Sequence, residues 1–121
     1  MTFKKLIAPL LLICFLSACA QKGPKITLST DRIQHKGWVT MWGEGFTALS
    51  DVHSHLRRPD GTEFPVLPMR TDENGKFTHE IDTLLFLPGV HELWVEDTAT
   101  KVTSNHATFE MTLAPSDPKR P

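Results

Sequence analysis

The stretch that decides the fold is Pro88-Gly89-Val90-His91-Glu92-Leu93-Trp94-Val95-Glu96-Asp97. Alternate residues of an extended chain share a face, and one face of this stretch carries His91, Leu93 and Val95. The opposite face carries Glu92, Trp94 and Glu96. A period of two with one mainly apolar face predicts a β-strand that begins after the Pro-Gly pair and is half buried against a core.

Further runs with this alternation lie on both sides of the strand, and no segment repeats apolar residues at helical spacing over a useful length. Arg58-Pro59-Asp60-Gly61-Thr62 predicts a hairpin turn, and Asp72-Glu73-Asn74-Gly75 predicts a second turn. Phe64 and Val66 follow the first turn, and Pro65 and Pro68 mark this stretch as an edge strand, because proline cannot donate to a full ladder. The remaining predicted strands span residues 25–29, 37–43, 51–57, 77–81 and 107–113.

About seven short strands separated by turns predict an all-β fold, a small antiparallel β-sandwich over residues 25–113. A small β-barrel is the structural alternative. Three parts of the chain also resemble the recurring signature of bacterial immunoglobulin-like domains. They are residues 37–46 (GWVTMWGEGF), the two turn segments from Arg58 to Phe77, and the stretch from Pro88 to Asp97.

The immunoglobulin-like resemblance implies a scaffold and no particular activity. Such domains often have a tyrosine at the position of His91, and this chain contains no tyrosine. We therefore expect His91 to take the place of that buried tyrosine, as a neutral histidine hydrogen-bonded to a backbone carbonyl.

The N-terminal residues have the organisation of a secretion signal. Lys4 and Lys5 precede an apolar run, residues 6–16, that is too short to span a bilayer as a helix. The run ends in Leu16-Ser17-Ala18-Cys19, which resembles the lipobox of bacterial lipoproteins. An ordinary secretory signal, in which Ala18 marks the cleavage site and Cys19 has no role, is the alternative.

The lipobox resemblance implies cleavage before Cys19 and attachment of lipid to its thiol. It divides the chain into a cleaved signal helix (1–18), a lipidated tether (19–24), the sandwich (25–113) and a disordered Pro-rich tail (114–121). Ala20 follows the cysteine where an aspartate retains enteric lipoproteins at the inner membrane, so we expect the periplasmic face of the outer membrane. Cys14 would leave with the signal, so the domain would have no disulfide.

Composition and motifs argue against two classes of function. Acidic and basic residues are nearly balanced, 14 to 13, and no basic run of the nucleic-acid-binding type occurs. No nucleophile elbow, His-Glu-x-x-His zinc motif or phosphate-binding glycine loop is present after residue 18. The sequence therefore predicts a non-catalytic protein without a cofactor other than the lipid on Cys19.

Two groups of side chains are candidate sites. His53 and His55 lie two residues apart on a predicted strand, so they project to one face, where they could share zinc or copper. A solvated sheet face with histidine–carboxylate pairs is the alternative. Trp38 and Trp42 should face away from the core, as should Trp94 on the other sheet, which predicts a binding surface unless other side chains cover the rings.

These observations favour a membrane-anchored periplasmic lipoprotein that acts as a binding or assembly module of the cell envelope. Its partners would be the membrane, through the lipid, and another envelope protein, for example within a secretion or conjugation apparatus. The alternative function is a periplasmic metal-binding lipoprotein that uses His53 and His55.

The first prediction concerns the anchor. Changing Cys19→Ser should abolish labelling by a fatty-acid probe and leave the precursor unprocessed at this site, because the thiol accepts the lipid. Each buried methylene contributes about 0.8 kcal/mol to membrane attachment, so the wild-type protein should stay in the membrane fraction. Cleavage of the wild-type chain without any lipid label would contradict the prediction.

Overall fold

A computed structural model describes residues 23–34 and 37–113. The expected signal peptide, Cys19, most of the tether and the residues 114–121 lie outside this range. The described residues form eight strands, and they contain no helix that is long and apolar enough to cross a membrane. The strands are β1 (Lys25–Leu28), β2 (Arg32–Gln34), β3 (Trp38–Glu44), β4 (Asp51–Arg57), β5 (Leu67–Arg70), β6 (Phe77–Asp82), β7 (Gly89–Asp97) and β8 (Ala107–Thr112).

The strands form two sheets, which confirms the predicted all-β sandwich. One sheet has the order β1-β3-β6, and the other has the order β2-β8-β7-β4-β5. Neighbouring strands are antiparallel except β2, which runs parallel to β8.

Two strands differ from the sequence prediction. β2 was not predicted, because three residues are too few to show a period. The prolines correctly indicated an edge strand, but β5 spans Leu67–Arg70, so Pro68 lies within it whereas Phe64 and Val66 precede it. The residues before it stay close to β4 without forming a continuous strand, since the amide of Phe64 donates to the carbonyl of Leu56.

The faces predicted from alternation are the faces observed. The core contains Val39 and Met41 from β3 and Leu93 and Val95 from β7, each with at most 1% of its surface exposed. Phe109 of β8 joins the same core. Because the inward residues of each strand are fixed by this burial, the outward residues are fixed with them.

Asp97 ends β7 as a buried carboxylate that lacks a cationic partner in the part of the chain described. Its Oδ2 accepts hydrogen bonds of 2.8 Å from both the amide and the hydroxyl of Thr47, and its Oδ1 accepts one from the amide of Ala99. Burial alone would raise the pKa of Asp97, but these donors hold it below its ordinary value. The network fastens the β3–β4 connection, which joins the two sheets, to the end of β7.

A second prediction concerns the core. Phe109→Ala should lower the free energy of unfolding by roughly 3–5 kcal/mol, because Phe109 is only 1% exposed. The matched change His53→Ala, on the outer face of β4, should cost within about 0.5 kcal/mol. Chemical denaturation of both variants measures the difference, and equal losses would mean that the faces are assigned wrongly.

Candidate functional site

The outer face of the three-stranded sheet presents two tryptophans. Trp38 is 57% exposed and Trp42 is 45% exposed, as the alternation of β3 predicted. Val39 and Met41 occupy the inward positions between them, so the rings cannot turn into the core without a shift of register. Lys76 lines a shallow depression beside Trp42, but both rings stay largely open to solvent.

Hydroxyl-bearing residues surround the two rings. Trp42 pairs across the sheet with Thr27 of β1 and Thr78 of β6, and Thr40 lies between the rings on β3. The register partner of Trp38 on β6 is Asp82. The face therefore combines two aromatic rings with threonines and with charged side chains on β6, where Glu80 is the register partner of Thr40 between the two rings.

Trp94 has a different environment on the outer face of the five-stranded sheet. Its ring lies between the rings of His55 and His106, with centroid separations of 5.3 Å and 4.8 Å and interplanar angles of 3° and 5°. His55 is its register partner on β4, and His106 immediately precedes β8 on the other side. The separations match the spacing of neighbouring strands, so the sheet itself holds the three rings in a stack.

Charged side chains border this His55–Trp94–His106 stack. The Arg57 guanidinium lies 5.0 Å from the centroid of Trp94 and pairs with Glu92 at 3.1 Å. Glu92 also pairs with His106 at 2.9 Å. All three charged or titratable side chains are partly exposed, so each pair contributes only about 0–1 kcal/mol. Both faces of Trp94 are covered, which leaves only the edge of the ring for a ligand.

The two candidate metal ligands, His53 and His55, both lie half-buried on the outer side of β4. His53 is the register partner of Glu96, whereas His55 stacks on Trp94 and its Nδ1 lies 3.8 Å from Glu63. Among residues 23–34 and 37–113, no group of three or more histidine, cysteine or acidic side chains is arranged to hold a metal ion. The metal site stays a prediction from the sequence.

Sequence reasoning did not identify His106 as a contact of Trp94. The residue lies one position before Ala107, the register partner of Leu93, so it falls opposite Trp94 once the pairing of β7 and β8 is known. Alternation within one strand does not contain that information, because the register between strands depends on turns and on the core.

His91 occupies the core position expected of it. It is 1% exposed, its ring stacks between Phe86 and Phe109, and its Nδ1 lies 3.3 Å from the carbonyl oxygen of Gly89. Burial lowers the pKa of His91, and burial also lowers the pKa of His79 on β6. The neutral ring of His91 therefore packs in the core as a flat side chain with one hydrogen bond to the backbone.

Comparison with known proteins adds no assignment. No protein-family model matches the chain, and no curated protein matches it.

A third prediction follows from the buried histidines. Their pKa values are lower in the folded state than the ordinary value of 6.5, so the unfolded state binds more protons at mildly acidic pH. The free energy of unfolding should therefore fall as the pH is lowered below 6.5. His91→Gln should reduce this slope, whatever its effect on stability at neutral pH. Denaturation curves at several pH values measure the slope, and the same slope in both proteins would contradict the assignment.

Proposed function

We propose that the protein is a membrane-anchored periplasmic lipoprotein whose sandwich is a non-catalytic binding or assembly module of the cell envelope. The observation that carries the proposal is the pair of exposed rings, Trp38 and Trp42, on one outer sheet face. Tryptophan is enriched where proteins bind one another and contributes much of the binding free energy there.

The two tryptophans suit a contact surface because their backbone is already ordered. β3 is the central strand of its sheet, with β1 on one side and β6 on the other. Trp38 and Trp42 are four residue steps apart on β3, so their Cα atoms are about 13 Å apart, which is well within the width of a protein interface patch. Binding would then cost little backbone entropy, since no loop has to fold around the partner.

The composition of this face also supports a protein partner. The central strand β3 contributes the two rings and Thr40, and the charged side chains Glu80 and Asp82 belong to the edge strand β6. An aromatic centre bordered by polar groups resembles the core and rim of a protein interface. Lys25 of β1 and Glu44 of β3 are register partners at one end of the sheet, and Asp82 of β6 lies opposite Trp38 at the other end. A complementary partner would bury the rings and leave the charges in contact with water.

The proposed anchor orients the surface. Residues 19–24 would span at most roughly 20 Å, so the sandwich would stay close to the bilayer. The tether would enter β1 at Lys25, which is the register partner of Glu44. Trp42 would then be nearer the membrane than Trp38, and a partner on the outer membrane or in the adjacent periplasm could reach both rings.

A fourth prediction tests the surface. Replacing Trp38 and Trp42 together with threonine should leave the melting temperature within a few degrees of wild type, because threonine suits an exposed strand position. Co-purification of the envelope partner with the lipidated protein should nevertheless fall strongly, since a buried tryptophan often contributes about 2 kcal/mol or more to an interface.

The matched control is Trp94→Thr, which removes a tryptophan from the opposite sheet. That variant should lose the stack with His55 and His106 but retain the partner. If the double variant unfolds, the two rings are needed for the stability of the fold. If it keeps both its stability and its partner, the binding surface is elsewhere on the domain.

A further inference from the structure

A pocket of about 420 Å³ lies between the hairpin turn after β4 and the loop that joins β6 to β7. Its size is within the range of small-molecule sites, about 300–1,000 Å³. It shares no lining residue with the face that carries Trp38 and Trp42. The lining residues are Arg58, Pro59, Phe64, Leu85, Leu87 and His91.

Arg58 provides the charge of this pocket. Its guanidinium carbon lies 3.8 Å from the centroid of the Phe64 ring, and its Nη1 donates to the hydroxyl of Thr62 and to the carbonyl of Glu63. The positive charge of Arg58 helps to lower the pKa of Asp60. However, no carboxylate of the described chain lies within 4.0 Å of the guanidinium. The cation is thus held in position without an ion-pair partner.

His91 adds a buried polar group to the lining. Its Nδ1 lies near the carbonyl of Gly89, whereas its Nε2 has no hydrogen-bond partner among residues 23–34 and 37–113. A buried polar atom without a partner is costly, so such an atom beside a pocket commonly has water or a ligand as its partner. Nε2 can accept one hydrogen bond from a bound head group or from water that accompanies it.

The other side of the pocket is apolar and open. Leu85 is 88% exposed and Leu87 is 65% exposed. Between them Phe86 turns inward and contacts the rings of Phe64 and His91, which fixes the loop to the domain. Two exposed leucines next to a fixed arginine present apolar surface and positive charge to the same ligand.

We propose that this pocket binds an amphiphile with one carboxylate and an alkyl chain, a medium-chain fatty acid in the simplest case. Arg58 binds the carboxylate, and Leu85, Leu87 and Phe64 contact the chain. A guanidinium recognises a carboxylate through charge-assisted hydrogen bonds, and covering the leucines removes apolar surface from water. This site does not depend on the binding surface formed by the tryptophans.

The test uses the full lipidated chain in nanodiscs and a dodecanoate probe that carries a photoreactive group on its alkyl chain. We expect crosslinks in the segments 58–64 and 84–90. Unlabelled dodecanoate should compete at about ten- to a hundredfold lower concentration than dodecanol, which has the same chain length without the charge. Arg58→Gln should weaken labelling by a similar factor.

Arg70→Gln is the matched control, because Arg70 is an exposed arginine on β5 that pairs with Asp51. It should label like wild type. Crosslinks in other segments, equal competition by dodecanol, or full labelling of a folded Arg58→Gln variant would each overturn the proposal. If Arg58→Gln does not fold, the competition between dodecanoate and dodecanol on the wild-type chain decides.

Discussion

Burial of residues from β3 and β7 in one core between the two sheets is the constraint on which the rest of the structure depends. No disulfide can join the two strands, because both cysteines of this chain precede residue 20. Val39 and Met41 therefore join Leu93 and Val95 in one core by hydrophobic burial, without a covalent link between the strands. A slip of one residue in either strand would expose its entire apolar set, so burial fixes the register as firmly as it holds the sheets together.

The same constraint determines what the two outer faces can display. On β3 the residues that alternate with the core are Trp38, Thr40 and Trp42, and on β7 they include Glu92 and Trp94. None of these outward side chains is needed to hold the sheets together. They can differ in size and charge while the core stays the same, which is why binding functions are commonly carried on the surfaces of a shared scaffold.

Alternation and turn residues were sufficient to predict the sandwich, the inward faces and the outward tryptophans, because these features depend only on local sequence. Features that depend on two strands at once were not predictable. His106 stacks on Trp94 only because of the register between β7 and β8, and Arg58 lies over Phe64 only because of the path of the chain after its turn. The three-residue β2 is held by β8 rather than by its own sequence pattern.

The contrast between the two faces is the strongest argument for where a protein partner binds. His55, His106 and Arg57 cover the ring of Trp94, so its apolar faces are already shielded from water by the domain itself. Trp38 and Trp42 have no stacked ring or guanidinium among the described residues, and they stay 57% and 45% exposed. Since both sheets belong to the same small domain, composition alone does not account for the difference. Exposed rings that the domain leaves uncovered are best explained by contact with another molecule, and that contact would be on the three-stranded sheet.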